Sequence, residues 1–198
     1  MNFKDIDFSK VAHILDSMSD EEKENLGKMA QDMMNQNQQQ SEPEPEEEMD
    51  FFEFLHIQED EYTDLPGTVL DEIEAAADME MYYEEDMDAD FSAVILFYAK
   101  AMLNMLRKYH YPMYRDVLGM SQNVATTTLY SYLAPLMQEE NIEKLGNSHL
   151  WIAHRECLQS LSILLSRAEY DRVNYQEVQM MKDVLFNKKA LLLVKEVI

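Results

Sequence analysis

The chain has 198 residues, with 39 Asp and Glu against 16 Lys and Arg, a formal net charge of −23, and a single cysteine, Cys157. A field of that sign repels phosphate backbones, which argues against general nucleic-acid binding and favours cationic partners. One cysteine excludes an intrachain disulfide and fits a reducing, cytoplasmic setting.

Composition and charge distribution refine this picture. Four glycines and five prolines leave few turn-formers for hairpins, so a chain rich in Leu, Met, Glu, Ala, Gln and Lys is expected to be all-α. Residues 1–90 hold 29 acids against 4 Lys and Arg, whereas residues 91–198 hold 10 against 12. The two halves are therefore chemically different objects. The first twenty residues interleave acids with apolar positions, so no export signal is expected, and neither terminus shows a lipidation motif. The most apolar run, Phe91 to Leu106, is interrupted by Lys100 and Asn104. It falls short of the roughly 18–20 clean apolar residues of a membrane span and reads as a buried helix.

Residues 1–35 read as a short helical hairpin. Phe8, Val11, Ile14, Leu15 and Met18 make one helical stripe, and Leu26, Met29, Ala30 and Met33 make a second after the capping box Ser19–Glu22. Stripes this thin need a covering surface, in the same chain or in a homodimer. Residues 36–64 read as an acidic flexible linker, because Asn35 to Glu48 has no apolar residue, two prolines and dense like charge. An aromatic segment, 49–58, is embedded in it. Phe51, Phe52, Phe54 and Leu55 among acids have the pattern of a segment that folds on a partner, or that packs on the C-terminal core as an extra short helix.

Residues 65–198 read as a helical bundle domain. An acidic amphipathic helix at about 68–86, capped by Thr68, carries Leu70, Ile73, Ala77 and Met81. A helix from Asp90 to Arg107 is apolar on nearly every face, which places it centrally. Tyr111–Pro112 is expected to end it. Further helices are expected from about Val124 to Glu139, Ile142 to Ala168 and Tyr175 to Val197.

Chemistry-bearing motifs are sparse. Asp86, Asp88 and Asp90 start like a calcium loop, but Phe91 stands where glycine is required and Phe97 where a bidentate glutamate is required. His154 and Cys157, three apart on one helix, are two soft metal ligands where four are usual, so a hydrogen-bonded core histidine is the better reading. Glu53 and His56 match one half of a di-metal motif without its second copy. The sixteen methionines mostly fall on apolar stripes as core filling. Phosphate-loop, nucleophile-elbow and paired Cys-x-x-Cys signatures are missing, so no cofactor is expected. Arg107, Lys108, Tyr109, His110, Tyr111 and Arg115 form the one basic aromatic cluster, suited to docking the acidic N-terminal half.

The function expected from these residues is a non-catalytic interaction or regulatory protein. It would bind a protein partner, a basic one on the charge argument, through the acidic aromatic arm or a helical surface. Its rivals are an acidic inhibitor or immunity-type protein that blocks a basic surface, and a helical-bundle enzyme with a metal or small-molecule site using His154, Cys157 or Tyr98. No membrane partner is expected.

Overall fold

The computed structural model describes Lys28, residues 50–83, Asp86 and residues 88–198. The expected hairpin at 1–35, Lys28 apart, and the linker up to residue 49 lie outside the described residues. Every regular element among the described residues is helical, as expected. Residues Asp50–Ile198 make up one compact unit.

The Asp50 carboxylate accepts from the Phe52 amide at 3.1 Å and caps α1, Phe51–Phe54. After α2, Glu59–Tyr62, the turn at Leu65–Pro66 starts α3, Gly67–Tyr82. Thr68 is not its cap; Pro66 takes that position, and the buried face is Val69, Ile73, Ala76, Ala77 and Glu80. The buried stripe is thus turned from the expected one, with Leu70 and Met81 at its edge.

Next comes α4, Ser92–Met105, with Val94, Ile95, Tyr98, Ala99, Ala101, Met102 and Met105 buried. Its start is fastened by Asp90, whose Oδ1 accepts from the Ser92 hydroxyl at 2.6 Å and from the Val173 amide at 3.2 Å. These bonds, the Ser92 hydroxyl first, hold the Asp90 carboxyl below its ordinary range. Two carboxylates of the calcium-like run are therefore engaged within the protein, since Asp86 Oδ1 also accepts from the Asp88 amide.

The chain does not stop at Pro112. A π-helical turn, Leu106–His110, follows α4, with the Tyr111 amide bonding the Leu106 carbonyl five residues back. Pro112 then sits in the first turn of α5, Tyr111–Leu118, where a missing amide is harmless. Gly119 ends α5 at φ +71°.

Three of the expected long helices are broken in two. The stretch from Val124 becomes a 3₁₀ turn, Val124–Thr126, and then α6, Leu129–Leu136, with a Thr128–Ser131 capping box. Next, α7, Glu139–Leu145, ends at Gly146, and α8, Ser148–Tyr170, begins. The C-terminal stretch divides into α9, Tyr175–Lys182, a π turn, Asp183–Asn187, and α10, Ala190–Glu196. Lys189 at φ +53° makes that last break, and its ammonium reaches Glu61 at 2.8 Å.

The helices α3, α8, α9 and α10 all pack on α4. One buried polar network is fully partnered. The Glu80 carboxylate accepts from Lys182 Nζ at 2.9 Å, Gln179 Nε2 at 3.3 Å and the Tyr98 hydroxyl at 3.4 Å, tying α3, α4 and α9 together. Burial, and then the Glu80 charge, push the Tyr98 phenol well above its ordinary range. Replacing Lys182 by Met strands this carboxylate and is expected to cost about 3 kcal/mol in denaturant unfolding, with much of that recovered in Lys182→Met combined with Glu80→Leu. A loss in the double variant equal to the sum of the losses in Lys182→Met and Glu80→Leu alone would show that the pair is not coupled.

Candidate functional site

The residues expected to anchor a partner sit largely on the core. Leu55 is buried in it, and Phe51, Phe52, Phe54 and Ile57 pack against it. Phe54 lies beneath the Lys182 ammonium, 5.1 Å from its ring centre. Of the two readings open for segment 49–58, the structure has the extra short helix, and residues 50–64 belong to the bundle unit instead of a linker. The Asp50 cap fixes where this helix starts, and packing on the bundle buries Leu55. Leu55→Ala should therefore lower global stability by roughly 2 kcal/mol or more in urea unfolding. An unchanged midpoint would return the side chain to the surface.

The basic aromatic cluster does not form one surface. Arg107 donates to the Thr127 hydroxyl and carbonyl and to the Ala125 carbonyl, Lys108 lies over Tyr109, and the Tyr111 hydroxyl donates to the Gln122 carbonyl. Arg115 pairs with its neighbour Asp116 at 2.7 Å. His110 turns fully inside. A helical turn distributes consecutive residues round the axis, and the π turn adds to that spread.

Inside, His110 meets His154 of α8, with ring centres 4.8 Å apart and planes at 73°. Trp151 packs on both rings and Tyr114 stacks beside His110. His110 Nε2 lies 2.9 Å from the Val194 carbonyl, which requires the N–H on that nitrogen. Among the described residues, His110 Nδ1, both nitrogens of His154 and Trp151 Nε1 meet no hydrogen-bond partner. His154 is thus a core residue, as expected, packed among rings. Cys157 is also buried, and desolvation pushes its thiol up, away from the reactive thiolate. Among the described residues no group of three or more His, Cys, Asp and Glu is placed to hold a metal ion.

Burial brings His110 down to about 4, against the opposing effect of its Val194 bond, and takes His154 well below the histidine range, with His110 adding to it. Both rings are neutral in the folded chain, whereas the unfolded chain binds protons near pH 6.5. Their contribution is therefore complete above about pH 6.5 and is lost as pH falls toward 4, by roughly 3 kcal/mol for His110 alone. Chemical denaturation between pH 7 and 4.5 should show this loss, and His154→Leu should make it shallower. Parallel pH curves would exclude His154 as a contributor.

Outside, α8 presents a different surface. Ile152, Glu156, Gln159, Ser160, Ile163, Ser166, Arg167 and Tyr170 fall within about a 120° arc at 3.6 residues per turn, along about 27 Å of helix. Ile163 is 65% exposed and Tyr170 82%. On one side a groove of about 790 Å³ runs between α8 and α6, lined by Tyr130 and Leu133. On the other, a groove of about 430 Å³ runs to α9 and the following π turn, lined by Met180 and Val184. Both grooves share Ser160 and Ile163. Tyr130 is 68% and Met180 54% exposed. Sequence reading followed the inner stripe of α8 and missed this outer one. The signal was Ile152, Ile163 and Tyr170 recurring opposite Leu161 and Leu164; Tyr130 and Met180 gave none, since helix packing alone brings them there.

Compared with known proteins, the chain matches no family model, no curated protein and no solved structure. The fold and this face define the class, an all-α helical bundle whose longest described helix exposes Ile152, Ile163 and Tyr170 on its outer side. No helix among the described residues is long and apolar enough to cross a membrane.

Proposed function

We propose that this is a non-catalytic interaction protein that binds a protein partner through the outer face of α8. The observation that carries this reading is the gathering of exposed Tyr130, Ile163 and Met180 around two adjoining apolar grooves. Large exposed apolar groups are ordinary when scattered, as Tyr82, Leu96 and Val117 are on other helices. A contiguous set beside open, shallow depressions is a surface that protein recognition uses. Burying an exposed side chain such as Ile163 fully contributes about 1.5–3 kcal/mol. The acidic N-terminal half adds a long-range field that selects among partners and sets the approach rate. Phe51, Phe52, Phe54 and Leu55 support the bundle in this reading instead of anchoring the partner.

The test is a photoreactive amino acid placed singly at Ile163, Tyr130 and, as a control on another helix, Val117 of the full chain in its native cells. Protein adducts that form at Ile163 and Tyr130 well above those at Val117 are the expected result. Equal yields at the three positions would exclude the α8 face as the binding surface.

A further inference from the structure

We propose that the occupant of the α8 face is a second copy of this chain, with the two α8 helices packed antiparallel about a two-fold axis near Ile163. The inference rests on the reading of that face as a binding surface and names what binds it.

Charge comes first. The chain carries −23 overall, yet the ionised residues lining the two grooves are Glu156, Arg167, Asp183 and Lys188, which balance. A face evolved for a basic protein would carry an acidic surplus at its rim, as the first ninety residues do. This one asks for a surface that is itself apolar and balanced, and the chain has such a surface in this same face.

Shape comes second. A two-fold contact must be self-complementary, each patch supplying what the other lacks. Ile163 is exposed with an open groove on either side, so a two-fold axis beside it brings the two Ile163 side chains together, with the grooves of each copy flanking them. Antiparallel pairing about residue 163 places Ser160 opposite Ser166, two small side chains that permit close approach. It places Gln159 opposite Arg167 and Glu156 opposite Tyr170, and neither pair sets like charge against like charge.

The acidic remainder makes a distinctive prediction. Two copies each at −23 repel at long range, so added salt should strengthen self-association, whereas it weakens docking of a basic protein on an acidic one. The experiment is sedimentation equilibrium of the full chain over a concentration series at low and moderate NaCl, for wild type, Ile163→Glu and the control Val117→Glu. Wild type and Val117→Glu should move from the 23.3 kDa chain mass toward twice that value, more readily at moderate salt. Ile163→Glu should weaken self-association by about tenfold or more, with helicity and melting unchanged, since the side chain is exposed. Ile163→Cys should oxidise to a disulfide-linked dimer, the one other thiol, Cys157, being buried.

A wild type that stays at the chain mass throughout, an Ile163→Glu variant that dimerises as well as wild type, or an Ile163→Cys variant that stays monomeric on oxidation overturns the second-copy proposal. The photocrosslinks then separate the two readings. A monomer that still forms adducts with a different protein at Ile163 keeps the interaction face and removes the copy, and a monomer without adducts removes both.

Discussion

Everything in the described bundle is arranged around one helix that has no polar face to spare. Residues 92–105 have buried side chains on several sides of α4, so the helix is stable only when α3, α8, α9 and α10 surround it. Between α4 and α8 the elements are short and broken. The π turn at Leu106–His110 buries Leu106 and His110, and Gly119 ends α5.

The same wrapping decides the fate of polar groups. Where α3 and α9 meet α4, the Glu80 carboxylate finds three donors, so a buried charge is accommodated. Where the π turn meets α8 and α10, His110 finds one carbonyl and His154 meets no hydrogen-bond partner among the described residues. The core is thus well matched at one end and holds a proton-sensitive aromatic knot at the other. That knot runs outward from His154 through His110, Tyr114 and Tyr132 to Thr127 and Arg107. Arg107, expected on a docking surface, instead closes this chain of contacts at its outer end.

The outer side of α8 follows from the inner side. Leu158, Leu161 and Leu164 fix the helix against α4 and α6, and that orientation leaves Ile152, Ile163 and Tyr170 facing outward. Ile163 lies between two open grooves, one shared with α6 and one with α9. Exposed apolar surface of this kind in a strongly acidic chain is expensive to leave in water, and this is the physical ground for assigning it a partner.

The helical class, the centrality of residues 92–105 and the burial of His154 were determined by the sequence itself, because they rest on composition and on a 3.6-residue period that any packing must respect. Cap chemistry was partly legible as well: the break at Gly119 lies where glycine relieves a left-handed backbone, whereas the break at Gly146 fell inside a helix expected to run from Ile142 to Ala168. Only the tertiary structure decided the rest. Pro112 reads as a stop until the preceding π turn shows how the helical path accommodates it, and Lys189 gives no warning of its left-handed backbone. The Phe51–Leu55 segment has the same residues whether it waits for a partner or packs at home; the choice depends on whether a free surface of the bundle lies within reach, which is a matter of three-dimensional arrangement. The α8 face likewise exists only once Tyr130 and Met180, 50 residues apart in the chain, are brought to either side of Ile163. Local periodicity is written along the chain, whereas grooves belong to pairs of helices, and pairs are settled by packing.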